Sequence, residues 1–300
     1  MDNARLCFVL NPKSGISQSA FRGNSLRDIV NFFADRNISI DIKTTAKPGD
    51  SSLLAKEAAQ QGYTHIVACG GDGTINQVLK GIVGYDVIMG VIPMGTENVL
   101  CKAMKVPLNI TEACRHLIES PIKTMDVGVA NGQHFLIMSG IGLDARVILE
   151  MEPEVKNLLG SLGFIIKGAA TLIFDEKKYR SVVKIILHDQ GIEFETSAWL
   201  VLAGNLPYYS GTIKLAINAE PDDGMLDIVV FPFSNENPIA NQVLSVFMED
   251  HIDKNEIKYF KSSDFEIITE PEVYCHIDGE ILGKTPVKYS VNKKALKIKF

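Results

Sequence analysis

From the start of the chain to about residue 125, short β-rich apolar runs alternate with segments whose apolar positions recur every three or four residues. "RLCFVL" (5–10) predicts a buried strand, and Leu26, Ile29, Val30 and Phe33 then repeat at helical spacing. "ISIDIKTT" (38–45) predicts a second strand, with Asp50 as the expected cap of a helix through "SSLLAKEAAQQ" that Gly62 ends. A third strand, "HIVACGG" (65–71), a helix, "TINQVLKGIV" (74–83), and a fourth strand, "DVIMGVIP" (86–93), complete the rhythm. Strands alternating with helices imply a parallel, Rossmann-like α/β sheet covered on both faces, whose ligand crevice lies at the carboxyl ends of the strands.

The pattern changes after Met125. Asn131-Gly132 sits between two β runs of "DVGVANGQHFLIMSG" and predicts a hairpin. A helical insert at about 144–175 follows, and β runs then dominate: "RSVVKIILH", "FETSAWLVLAGN", "LDIVVFPF", "DFEIIT", "VYCHIDG", "PVKYSV" and "ALKIKF", with one helix near 237–249. The expectation is two domains, 1–125 as an α/β domain and 126–300 as a mostly antiparallel, β-rich domain that carries the insert.

Composition adds limits. A net charge of -6 gives no general attraction to nucleic acid or anionic lipid, so any membrane contact must be local. The five cysteines show no Cys-x-x-Cys spacing and sit in apolar stretches, which reads as buried thiols of a reducing cytoplasm. "LCFVL" is too short for a signal-peptide core, and "LGFIIKGAATLIF" (162–174) contains Lys167 and is too short to span a bilayer. The six histidines show no ligand spacing, and neither His-Glu-x-x-His nor Gly-x-Ser-x-Gly occurs.

Candidate chemistry gathers at strand ends. In "CGGDGTIN" (69–76) Gly70 and Gly71 follow a strand and precede a helix, where backbone N–H groups can face an anion. A tight turn is the competing reading of that loop. Asp72 repels phosphate unless it handles a metal or a proton, which favours a nucleotide–metal site. "NPKSG" (11–15) and "PMGTEN" (93–98) place small and hydroxyl residues at two more carboxyl ends. Asn11, Ser14, Gly15, Gly71, Gly73, Thr74, Gly95 and Thr96 are therefore expected to line one crevice. "GEILGKT" (279–285) imitates a phosphate-binding Gly-x₄-Gly-Lys-Thr loop, but it is one residue short and Pro286 with a β-like run follows it, so it is rejected.

"NPKSG", "GGDGTINQVLKGI", "GTEN", "MDVG…GIGLDA", "AEPDDGMLDIVVF" and "IDGE" occur in the order found in the diacylglycerol kinase catalytic family, which the chain resembles from about residue 5 to its end. The resemblance implies that 1–125 is the nucleotide-binding α/β domain and 126–300 a β-sandwich that binds substrate, with ATP in a cleft between the domains and phosphorylation of a lipid hydroxyl such as that of diacylglycerol. It places Asn11, Pro12, Lys13, Ser14, Gly15, Thr45, Gly70, Gly71, Asp72, Gly73, Thr74, Asn76, Gly95 and Thr96 at nucleotide positions. Asp278 and Glu280 fall where the family keeps its base, a role also given to Asp72 in sphingosine kinases. The loop "EPDDGM" resembles a magnesium loop that would use Asp223 with the carbonyls of Glu220 and Met225. Val99 departs from the aspartate common in Gly-Thr-x-Asn-Asp.

Other residues keep two readings. Two adjacent carboxylates beside Gly224 suit a hard cation, or an acidic turn in solvent. One of Asp126 and Asp144 holds the substrate headgroup or orients a base, or the two make structural hydrogen bonds. The insert lines a lipid pocket or touches a membrane, or is a core helix. Expected partners are ATP, Mg²⁺ and a lipid reached at the membrane surface by a cytoplasmic protein. No nucleic acid is expected, and a homodimer stays open. The alternatives are an NAD kinase, which shares the Gly-Gly-Asp-Gly-Thr element, and a nucleotide- or lipid-binding relative without turnover.

Overall fold

The computed structural model describes residues 4–14, 20–150, 180–210, 213–234, 238–253 and 257–300. Gly15 and the part of the expected insert at 151–175 lie outside the described residues. The chain divides into two compact units, Met1–Met125 with Lys294–Phe300, and Asp126–Lys293. The expected second domain, 126–300, therefore loses its last residues to the first unit.

In the first unit β1 (Leu6–Leu10), β2 (Ile40–Thr44), β3 (His65–Gly70) and β4 (Ile88–Pro93) pair in parallel in the order β4-β3-β1-β2. Every residue of β1 and β3 is buried, as a parallel strand covered on both faces requires. The helices are α1 (Ala20–Ala34), α2 (Asp50–Gln60), α3 (Asp72–Ile82), α4 (Val99–Ala103) and α5 (Ile110–Glu119). Phe8 of β1 meets Phe33 of α1 edge-on, with ring centroids 5.2 Å apart. Because β1, β3 and β4 are parallel neighbours, their carboxyl ends lie side by side on one edge of the sheet.

The second unit is antiparallel. The end of β5 (Ile122–Ala130) and β6 (Gln133–Phe135) form the expected hairpin, with Asn131 and Gly132 both at positive φ, 46° and 79°. After β7 (Met138–Gly142) and α6 (Leu143–Glu150) come β8 (Ser181–Leu187), β9 (Ile192–Gly204), β10 (Tyr208–Ser210), β11 (Ile213–Lys214) and β12 (Leu226–Pro232). Then follow α7 (Ile239–Phe247), a 3₁₀ turn at His251–Asp253, β13 (Lys258–Ser262), β14 (Asp264–Glu270), β15 (Tyr274–Ile277), β16 (Glu280–Lys284) and β17 (Val287–Lys299). The strand order is β16-β15-β7-β9-β8-β14-β17. The first half of β9 pairs with β8, and its second half pairs with both β7 and β12. The core between these strands includes Ile185, Val201, Ile228, Phe265, Ile267 and Tyr289, with Phe265 and Tyr289 stacked at 4.7 Å.

Two expected strands, "PVKYSV" and "ALKIKF", are one. Lys294 takes left-handed backbone, φ 50°, inside β17, so the polar Asn-Lys-Lys run bends the strand without ending it. Beyond that bend Lys297 pairs in parallel with Ile88 of β4. Among the described residues no helix is long and apolar enough to cross a membrane.

Candidate active site

Each strand end of the first unit contributes a turn, and hydrogen bonds join the turns. Asn11, the residue after β1, donates its backbone N–H to the Cys69 carbonyl of β3 at 3.0 Å. Its side-chain Nδ2 donates to Thr74 Oγ1 at 3.1 Å, and Ser14 Oγ lies 3.3 Å from the same oxygen. Asn11 Oδ1 accepts the Lys13 N–H at 3.0 Å, which shapes the turn locally. At the end of β4, Met94 N–H donates to the Gly70 carbonyl at 2.9 Å. Gly95 then passes so close to Gly71 that a Cβ on Gly95 would overlap Gly71 Cα. Only a pair of glycines lets these two main chains touch. Thr45, after β2, donates its N–H to the Leu10 carbonyl at 2.9 Å, which places it on the same edge.

The Asp72 side chain is committed within this unit. Its Oδ2 accepts the Val99 N–H at 3.0 Å and its Oδ1 the Leu100 N–H at 3.1 Å, so it caps α4 from the start of α3. Burial pushes its carboxyl above the ordinary range, while these two amide bonds pull the other way. Asn98, at φ 50°, clamps the third turn by accepting the Gly95 N–H and donating to the Gly95 carbonyl, both at 2.9 Å. Asn76, buried on α3, makes no side-chain hydrogen bond among the described residues. Thr96 and Lys13 are exposed.

The second unit holds the other acids. Asp278 follows β15 in left-handed backbone, φ 45°, and its N–H donates to the Met138 carbonyl at 2.9 Å. Its Oδ2 accepts Leu136 N–H at 2.8 Å, and its Oδ1 accepts Ile137 and Met138 N–H at 2.9 and 3.0 Å. Three main-chain amides thus fix the carboxylate's direction. Glu280, two residues on, is exposed.

Next to this turn is a buried pair that the sequence reading did not join. His276 sits opposite Gly140 across β15 and β7, and its Nε2 lies 2.9 Å from Asp144 Oδ2 at the start of α6. Gly279 N–H donates to His276 Nδ1 at 3.3 Å, so the bonding assigns the ring proton to Nε2, which donates to Asp144. Asp144 Oδ1 also accepts the Ala145 N–H at 2.7 Å. Any Cβ on Gly140 would collide with the Asp144 carboxylate. The pair therefore depends on a glycine in mid-strand, and that glycine is the signal that "MSGIG" carried.

Residues 5–130 match the diacylglycerol kinase catalytic domain, and residues 138–300 match the YegS C-terminal NAD kinase beta sandwich-like domain. The chain belongs to the diacylglycerol kinase family. It is similar to a diacylglycerol kinase of Bacillus subtilis, 28% identical over 96% of this chain and 93% of the relative. It is also similar to a diacylglycerol kinase of Staphylococcus saprophyticus, at 26% over 98% and 94%. Among solved structures, a crystallised candidate diacylglycerol kinase from Bacillus anthracis superposes with a TM-score of 0.84 at 30% identity, covering 99% of this chain and 95% of that one.

In this member of the diacylglycerol kinase family the acidic loop is held by hydrogen bonds of its own. Asp223 Oδ1 accepts the Met225 N–H at 2.9 Å and its Oδ2 accepts Lys261 Nζ at 2.9 Å, so a lysine already balances the carboxylate. Among the described residues no group of three or more His, Cys, Asp or Glu side chains is arranged to hold a metal. A cation at Asp223 would face the Lys261 ammonium. Asp126 is fully buried and serves that same loop: its Oδ2 accepts the Gly224 N–H at 2.6 Å and its N–H donates to the Pro221 carbonyl at 2.6 Å. These bonds make Asp126 a fastener of the loop. All five cysteines are buried free thiols, and burial pushes Cys101 and Cys114 up to about 12, which removes them as nucleophiles at neutral pH.

Proposed function

We propose that the chain is an ATP- and Mg²⁺-dependent kinase that phosphorylates the hydroxyl of a diacylglycerol-class lipid, which it reaches at the cytoplasmic face of a membrane. The observation that carries this reading is the row of three bonded turns, Asn11–Ser14, Gly70–Thr74 and Met94–Thr96, with Gly71 against Gly95. Membership of the diacylglycerol kinase family supports it, as do the names of its relatives. ATP, when bound, supplies the phosphoryl group. The chain's part is alignment and charge neutralisation: glycine backbone that oxygens can approach, the Ser14 and Thr74 hydroxyls, and the start of α3. In the second unit Asp278 accepts the proton of the attacking hydroxyl. A carboxylate oxygen has two lone pairs, and the amides of Leu136, Ile137 and Met138 hold the group in one orientation. Asp144, kept in place by His276, takes the polar headgroup, with Glu280 beside the same turn.

The test is a transfer assay with ATP on a short-chain diacylglycerol, a sphingoid base and NAD⁺, with Mg²⁺ and with Mg²⁺ chelated. Product is expected from diacylglycerol and only with Mg²⁺. Asp278→Asn is expected to lower kcat by roughly 10²–10⁴, with ATP affinity within a few-fold of the parent. Product from NAD⁺ alone overturns the reading, and unchanged turnover in Asp278→Asn removes the base.

A further inference from the structure

Helix α7 is amphipathic in the inverted sense. Its inner face carries Gln242 and Ser245, 0% and 1% exposed, beside Val246 at 9%. Both are employed there: Gln242 Oε1 accepts Trp199 Nε1–H at 3.0 Å, Gln242 Nε2 donates to the Pro232 carbonyl at 2.8 Å, and Ser245 Oγ donates to the Gln242 carbonyl at 2.7 Å. Its outer face carries Leu244, Phe247 and, one residue past the helix, Met248, at 61%, 49% and 69% exposure. The spacing i, i+3, i+4 makes them one ridge. A helix that buries an amide and a hydroxyl while three large apolar side chains stay exposed has an apolar face that the described residues of its own unit leave uncovered.

We propose that this ridge inserts into the boundary between headgroups and acyl chains of a bilayer, where it holds the enzyme beside its acceptor lipid. The proposal rests on the lipid-kinase reading. Area decides against a second copy as the occupant. A standard interface takes roughly 800 Å² per partner, whereas three side chains offer on the order of a few hundred.

Charge decides the kind of membrane. No Lys or Arg occurs between Lys214 and Lys254, while that stretch holds eight Asp and Glu residues. Lys214 itself is paired with Glu249, next to the ridge, at 2.9 Å. Binding is therefore hydrophobic and needs no anionic lipid.

The experiment is flotation of the full chain with phosphatidylcholine vesicles, with and without an anionic lipid, at low salt and at about 500 mM salt. It is run beside a variant carrying Leu244→Gln, Phe247→Gln and Met248→Gln. The parent is expected to float with the neutral vesicles at both salt concentrations, and the variant's partition is expected to fall about tenfold or more. Turnover of a short-chain, water-dispersed diacylglycerol stays at the parent's value in the variant, while turnover of vesicle-embedded diacylglycerol falls. The chain has one tryptophan, Trp199, buried under α7, so Phe247→Trp adds a second reporter whose emission moves to the blue on the vesicles. Equal flotation of parent and variant overturns the proposal, as does a parent dimer that the variant breaks without change in flotation. No turnover of dispersed lipid by either protein, with flotation as expected, fails the kinase reading and leaves the insertion standing.

Discussion

At the residue scale, Asp72 shows how one carboxylate can satisfy a structural demand in a motif that reads as chemical. Its two oxygens meet two amides that begin α4, and those amides have no intrahelical partner of their own. An asparagine at 72 has one acceptor oxygen and one amino group, so it turns a donor toward a donor and leaves one amide unpaired. Asp72→Asn is therefore expected to cost about 1–2 kcal/mol of stability, read as a lower midpoint in denaturant. Turnover at a temperature where both proteins are folded is expected to stay within about tenfold of the parent. A fall of several hundredfold with an unchanged midpoint would instead make Asp72 a proton acceptor. Val99 belongs to the same account, because its contribution here is a backbone N–H, which any side chain but proline supplies.

At the element scale, the ladder of β12 and β13 places Asp227 directly opposite Lys261 and diagonal to Tyr259. The Tyr259 hydroxyl donates to Asp227 Oδ1, Lys261 Nζ is 3.5 Å from that oxygen, and Asp227 Oδ2 is buried without a hydrogen bond. Burial outweighs the bonds from Tyr259 and Lys261, and the carboxyl rises to about 6. The folded protein then holds a proton that the unfolded chain has released. The associated stability is complete below about pH 4 and is lost as pH rises through 6, amounting at most to about 3 kcal/mol. Asp227→Asn keeps an acceptor for Tyr259 and removes this slope. Urea unfolding of both proteins between pH 4 and 7 measures it: the parent is expected to lose stability relative to the variant as pH rises, and parallel curves would refute the assignment.

At the scale of the whole molecule, what could be read in the sequence was local, and what could not was pairing. Strand ends, glycine turns and the Asn131-Gly132 hairpin follow from backbone preferences that one window of residues states. The order β4-β3-β1-β2 follows from no window. Nor does the meeting of His276 with Asp144, which lie 132 positions apart and need Gly140 between them.

The chain end shows the same limit. "ALKIKF" reads as one more antiparallel strand, yet Lys294–Phe300 belongs to the first unit. There Leu296 and Ile298 are buried, and Lys299 Nζ donates to the carbonyls of Leu117 and Ile118 in the last turn of α5 at 3.0 and 2.9 Å. A chain ended after Lys293 loses two core side chains and the cation on α5, on the order of 5 kcal/mol against a typical total of 5–15. Its first unit is expected to lose hydrogen-exchange protection in β3 and β4, and ATP binding with it. Ile298→Ala, at about 2–4 kcal/mol, gives the graded version. Parent-like protection in the shortened chain would mean that the first unit stands without its last strand.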